Sequence, residues 1–444
     1  MSGARHDREI WRLAIPAFLA LVAEPLFLLS DAAIVGHLGT PELAGLGIAA
    51  VVMQTAVGLC VFLAYGTTAS VARYLGAGDR ARALAQGIDG VWLAVIIGAL
   101  VTVAGVALTD PLVAAFGVGE EVSGQATTYL RIAFLGTTPL LVMLATTGVL
   151  RGLQDTRTPL VVAVAGNALN IVLNLLLVYG VGGFDGYGIA GSAVGSVLAQ
   201  VASAAALLAV VVRAARREGA SLGPDRVGIL WAARAAVALV IRTLTLRAAL
   251  LVTTYAVAAG ATGGEGAVDL AAHQLAVTIW GFLAFALDAL AIAAQAITGR
   301  YLGAGDVVST REVTRRMVWW GVVSGIGTGV LLAVSSPWLG ALFTGDADVR
   351  DQLVPVLIVV ALSQPLAGVV FVLDGVLIGA GDGTYLAWAG TAVLVAYAPL
   401  VLVAAWAGGG LVWVWVVFSG VFMGARFVAL VGRARSDRWL VTGT

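Results

Sequence analysis

Twelve long apolar runs occupy most of this chain, and about 20 mostly apolar residues are what a helix needs to cross a bilayer. The runs fall approximately at residues 10 to 38, 43 to 72, 84 to 108, 122 to 149, 159 to 180, 187 to 213, 229 to 259, 269 to 300, 313 to 334, 350 to 377, 385 to 406 and 410 to 431. The breaks between them are short and rich in Gly, Pro, Asp and Arg. Strands of an outer-membrane barrel would alternate apolar with polar residues, whereas these runs are long and continuous. The predicted fold class is therefore an all-α membrane protein with twelve transmembrane helices. Composition agrees: 60% of residues are hydrophobic and 11% charged, with a mean hydropathy of +0.99, against about 25% charged in ordinary soluble domains.

Several functions are excluded early. All 25 basic residues are arginines, so the glycine-rich loop ending in Lys and Ser or Thr, which cradles nucleotide phosphates, is absent. With one cysteine, Cys60, and three scattered histidines, His6, His37 and His273, no disulfide framework or Cys/His zinc site is available. No metal and no cofactor are expected, and Cys60 reads as small core packing. The formal net charge is zero, and nothing points to nucleic acid. Arg5, Arg8 and Arg12 precede the first run as in a targeting peptide, but Glu24 and Asp31 interrupt it. A retained first span is expected.

Orientation follows from arginine placement, since positive charge collects on the cytoplasmic side. With the N-terminus inside, the inner segments hold Arg5, Arg8, Arg73, Arg80, Arg82, Arg151, Arg157, Arg213, Arg216, Arg217, Arg226, Arg300, Arg311, Arg433, Arg435 and Arg438. The outer loops hold essentially Arg350. Both ends are then cytoplasmic.

The heptapeptide RYLGAGD occurs at 73 to 79 and again at 300 to 306, an offset of 227 residues. The same offset pairs Leu43 and Ala44 with Leu270 and Ala271, and Val149, Leu150, Gly152 and Asp155 with Val376, Leu377, Gly379 and Asp382. Three blocks in one register imply a duplicated unit of six helices. Six is even, so both copies enter the membrane in the same direction. Halves related by an axis along the membrane normal are a recurrent transporter plan, with substrate near the midplane. The expected organisation is two six-helix lobes related by pseudo-two-fold symmetry, 1–212 and 228–444, joined by a cytoplasmic linker at 213–227.

Ionisable groups at membrane depth are expensive, at least ~2.5 kcal/mol on insertion scales, and so are functional candidates by default. The segment EPLFLLSD, residues 24 to 31, places Glu24 and Asp31 seven residues apart. That spacing puts them on one helical face, ~10 Å apart. Both are candidates for proton coupling, because an acid that alternates between proton and substrate links their movements; a static hydrogen bond is the other reading. Pro16 and Pro25 each remove a backbone hydrogen bond and mark the first helix as bent or bendable. In the fifth span, NALNIVLN carries Asn167, Asn170 and Asn174 as one stripe. Such amides either serve a carboxylate like Asp31 or hold helices together. Gln54, Asp288 and Asp374 complete the candidate polar cavity. Arg242 and Arg247 read as packing or interface anchors, and Trp319, Trp320, Trp413 and Trp415 as an interfacial aromatic belt.

Taken together, AIPAFLALVAEPLFLLSDAAIVGHLG, RYLGAGD, VLRGLQDTRTPL and NIVLNLLLVYG resemble the multidrug and toxic compound extrusion (MATE) transporters, in the branch named for DNA-damage-inducible protein F. The resemblance covers nearly the whole chain. It implies a prokaryotic inner-membrane antiporter, not an enzyme, that exports amphipathic, often cationic, organic compounds in exchange for protons or sodium; one buried acid cluster and no cage of oxygen ligands make protons the expected coupling ion. The implied partners are a small-molecule substrate, protons or sodium, and the lipid bilayer, with the chain acting as a monomer. Asp31 matches the acid of the family's first helix and Pro16 the proline about which that helix bends. Asn170 and Asn174 fall on a fifth-helix pair that is Asn then Asp in archaeal relatives, so one titratable group is missing and Glu24 is a candidate substitute. Residue 258, the repeat equivalent of Asp31, is Ala258, which points to coupling in the first lobe. The competing readings are a sodium-coupled exporter, a lipid-linked saccharide flippase, which would need several cavity cations, and an intramembrane enzyme, for which no catalytic cluster is visible.

Overall fold

The computed structural model describes residues 2–182, 184–260 and 265–444. The helices are α1 (Ser2–Gly36), α2 (Thr40–Leu59), α3 (Phe62–Gly76), α4 (Arg80–Ala107), α5 (Thr109–Ala114), α6 (Glu120–Leu135), α7 (Thr137–Gly152), α8 (Arg157–Tyr179), α9 (Ile189–Arg217), α10 (Arg226–Gly260), α11 (Glu265–Gly303), α12 (Val307–Leu339), α13 (Ala347–Gly379), α14 (Gly383–Trp406), α15 (Gly410–Val417) and α16 (Met423–Arg435). A two-residue hairpin, β1 (Gly180–Val181) and β2 (Phe184–Asp185), separates α8 from α9.

Among the described residues, eleven helical stretches are long and apolar enough to span a membrane, and a bent pair makes twelve. The joined pair α2 and α3 is one stretch, Thr40–Gly76, and α15 runs into α16 through a π-helical turn at Phe418–Phe422. The bent pair is α6 and α7, which meet at 47°. Gly136 lies at the break and Pro139 in the first turn of α7, the residue types that interrupt a helical ladder. The fold is thus the all-α, twelve-helix membrane architecture expected from the apolar runs, with the fourth span broken rather than straight.

The chain forms two compact units. One comprises Ile15–Ala236; the other comprises Val237–Gly443 with Met1–Ala14. The boundary falls inside α10 rather than in the linker, and the start of α1 groups with the second half. Side chains explain that grouping. Asp7 accepts hydrogen bonds from Arg316 Nε at 2.5 Å, Arg316 Nη2 at 2.6 Å and Trp320 Nε1 at 2.8 Å, and Glu9 accepts from Arg300 and from Tyr301 Oη. Trp320 is thereby a hydrogen-bond donor to the start of α1. Trp415 departs from the expected interfacial belt: it is 1% exposed and packs against His273 and Phe418. Trp319 and Trp413 are exposed.

The repeated motif is a turn code. In RYLGAGD, Gly78 (φ 82°) and Gly305 (φ 74°) adopt the left-handed conformation that ends a helix. The following Asp79 and Asp306 then cap the next helix, accepting from Arg82 N and Ser309 N, each at 2.9 Å. The second repeated turn keeps the backbone shape, with Gln154 (φ 67°) where the second copy has Gly381 (φ 75°), but its acids differ: Asp155 accepts from Arg157 N and Thr158 N, each at 3.0 Å, whereas Asp382 makes no cap hydrogen bond and pairs with Arg433. Glycines also set helix spacing. A Cβ on Gly325 of α12 would lie 2.4 Å from the Gln364 carbonyl of α13, and one on Gly329 2.5 Å from that of Ala361. Such small-residue stripes let backbones meet where lipid provides no hydrophobic drive.

Candidate functional site

The first unit closes around Asp31. Although it stands in the last turns of an apolar helix, its side chain is buried, 2% exposed, because α6, α8 and α9 each present a polar group there. Tyr129 Oη of α6 donates to Oδ2 at 3.2 Å, Ser196 Oγ of α9 donates to Oδ2 at 3.3 Å, and Asn174 Nδ2 of α8 donates to Oδ1. Asn170 Nδ2 in turn donates to Ser196 Oγ at 3.0 Å, leaving the serine hydroxyl hydrogen directed at the carboxylate. Asn170 and Asn174 are fully buried, 0% exposed. The helical spacing of NALNIVLN carries them to one face, and Gly195 lets α9 close over them: a Cβ there would stand 2.3 Å from Asn174 Oδ1.

Every one of these donors to Asp31 is neutral. A buried carboxylate is normally held by a cation or by hydrogen bonds sufficient to offset lost hydration; here hydrogen bonds alone do it. Asn174 Oδ1 is buried with no hydrogen-bond partner, so the amide has an unused acceptor beside the acid. An ionised Asp31 accepts from the amide nitrogen, and a protonated one can donate to the amide oxygen after a flip. The arrangement serves both protonation states.

The other predicted residues lie elsewhere. Asn167 shares the stripe but donates instead to the Ala23 carbonyl of α1 at 2.7 Å, a helix-to-helix tie. Glu24 is exposed, outside the buried cluster, although its neighbour Ala23 is buried. Gln54 is exposed on α2, and Asp288 is half-buried on α11. Pro16 and Pro25 lie half-buried inside α1, which is helical through both. Asp374 of the second unit is 3% exposed and ion-paired with Arg242, and Arg426 Nη2 lies 3.6 Å from its Oδ1. Arg242 is therefore neither an interface anchor nor simple packing. Among the described residues, no three His, Cys, Asp or Glu side chains stand together as a metal site.

Sequence reasoning did not find Tyr129 and Ser196. Lone hydroxyls within EEVSGQATTYLRIAFL and IAGSAVGSVLAQ look like ordinary helix-packing residues. The one available signal was the small-residue spacing of Gly191 and Gly195, which brings α9 against α8: a Cβ on Gly191 would lie 2.2 Å from the Leu177 carbonyl.

The MatE family profile matches residues 16–176 and 244–404, one stretch in each half. The chain belongs to the MatE family. This MATE transporter is similar to the chloroplastic protein DETOXIFICATION 44 of Arabidopsis thaliana, at 30% identity over 97% of this chain and 83% of the relative. It is 28% identical to DNA damage-inducible protein F of Escherichia coli K12 over 96% of this chain and 91% of that protein. The Vibrio cholerae MATE transporter VcmN, solved in its bent form, shares the fold with a TM-score of 0.85 at 21% identity, covering 99% of both chains. The MATE transporter is accordingly a multi-pass membrane protein of multidrug and toxic compound extrusion, a carrier rather than an enzyme.

Proposed function

We propose that this MATE transporter is a proton-driven antiporter that exports amphipathic, cationic organic compounds, with Asp31 as the group that carries the proton. The observation behind this reading is the buried carboxylate held by three neutral donors. Lacking a counter-cation among them, the group can exchange its charge for that of a proton or of a cationic substrate. Substrate and proton then compete for one negative charge. A ligand shifts a conformational equilibrium only through differential affinity for the two states, and the protonation state of Asp31 supplies the differential. Pro16 and Pro25 leave the Arg12 and Leu21 carbonyls of α1 without their helical donors, so the helix carrying Asp31 can change curvature; the Vibrio cholerae relative is described in a bent form. The arginine asymmetry supports a prokaryotic plasma membrane location with cytoplasmic termini. Two six-helix lobes acting in one monomer complete the reading.

The test is Asp31→Asn, which retains size and hydrogen-bonding capacity but cannot titrate. Reconstituted vesicles with an imposed pH gradient should show efflux close to background, with normal insertion and retained substrate binding. Robust pH-driven export by this variant removes the proposal. Loss of parent activity on sodium withdrawal at a constant pH gradient replaces the proton with sodium.

A further inference from the structure

The second unit holds a buried charge cluster that the coupling scheme does not use. Arg242 of α10, Asp374 of α13 and Arg426 of α16 line one small cavity of about 20 Å³, whose remaining wall is mostly apolar and includes Leu246, Val393 and Phe422. The side chains are 14%, 5% and 12% exposed respectively. Arg242 Nη2 donates to Asp374 Oδ2. Arg426 comes no closer than an ion pair at 3.6 Å to Oδ1, too long for a hydrogen bond, with the Phe422 ring centroid 5.8 Å away. The π-helical turn at Phe418–Phe422 immediately precedes α16. Such turns insert an extra residue into a helix and recur at functional sites; Arg426 follows this one in the first turn of α16.

Two guanidinium groups thus face one carboxylate across a cavity, and Arg426 keeps donors that Asp374 does not reach. Buried charge is retained when it is both paired and hydrogen-bonded. A space of ~10–15 Å³ suffices for one water, so this cavity accepts an occupant of one or two heavy atoms. We propose that it is a small-anion site, in which a halide-sized anion sits against Arg426 and offsets the second guanidinium. The same chemistry would accept the end of a carboxylate group, and the experiment separates the two sources.

Purified full-length protein is exchanged into gluconate, which is too large for the cavity, and its thermal unfolding is followed while chloride or bromide replaces gluconate at constant ionic strength. The expected result is a saturable rise in Tm with either halide. Arg426→Gln should weaken the half-saturating concentration on the order of tenfold or abolish the rise. Asp374→Asn should tighten it by a similar factor, because the competing negative charge is gone. Crystals soaked in bromide should show anomalous density beside Arg426. Should Arg426→Gln fail to fold, the opposite-signed Asp374→Asn response and the bromide position decide. Acetate that displaces bromide assigns the site to carboxylate groups as well; bromide undisturbed by acetate assigns it to free halide. No saturable halide response together with no bromide in the cavity, or an unchanged response in both variants, overturns the proposal.

Discussion

Asp31 and Asp374 are equally buried, at 2% and 3% exposure, yet their surroundings oppose each other. Asp374 faces two arginines, and Asp31 three neutral donors. Buried acids at membrane depth are readable from sequence as candidates, but which acid has a counter-cation is not, because Arg242 and Arg426 lie 132 residues before and 52 after Asp374. The asparagine stripe was legible as a stripe, yet its members divide: Asn170 and Asn174 belong to the acid, Asn167 to the backbone of α1. That division is testable. Ser196→Ala removes a donor to Asp31 and interrupts the route from Asn170, so it should cost roughly 1–3 kcal/mol of stability and depress pH-driven transport. Asn167→Ala releases only the Ala23 carbonyl, so it should cost about 1 kcal/mol with transport largely kept. Thermal unfolding and vesicle efflux measured side by side check the contrast, and equal transport losses would remove the division of roles.

At the scale of elements, spans and turns were legible because long apolar runs and Gly-Asp turns are local signals. The kink between α6 and α7 escaped because apolarity continues through Gly136 and Pro139. The exposure of Glu24 escaped too, since helical periodicity groups residues on a face and does not say which neighbouring side chains cover each of them. The α12–α13 contact rests on glycine, so Gly325→Leu forces a side chain into space held by the Gln364 carbonyl, 2.4 Å from where its Cβ would stand. Overpacking of this kind costs typically 1–3 kcal/mol, and more where backbone cannot yield; loss of folded yield and a lower Tm in detergent are the expected readouts. Pro16→Ala acts differently. It restores a donor for the Arg12 carbonyl and favours a straight α1, so turnover should fall several-fold while Tm stays equal or rises. Export at the parent rate by a normally inserted Pro16→Ala variant would exclude a hinge there.

Across the whole molecule, the duplicated halves keep their turns and diverge in their charges. The repeat position of Asp31 is Ala258, and that of Asp374, in the register of Val149 and Val376, is Thr147. Each half therefore has a buried acid where the other has none, and of Asp31 and Asp374 it is Asp31 that is held without an arginine. If one group titrates in the transport cycle, one proton should enter for each singly charged cation exported, making the cycle electroneutral. A membrane potential moves a net charge with ~2.3 kcal/mol per 100 mV, but it does no work on an exchange that moves none. Vesicles given a potential at equal pH should therefore not accumulate a monovalent cationic substrate, whereas a pH gradient at zero potential should drive accumulation that follows the proton ratio with a slope of about one, as the gradient's free energy per proton requires. Glu24→Gln should leave that slope unchanged, because Glu24 is exposed and outside the Asp31 cluster. A slope near two in the parent that falls to one in Glu24→Gln would make Glu24 a second proton carrier and end the single-acid scheme.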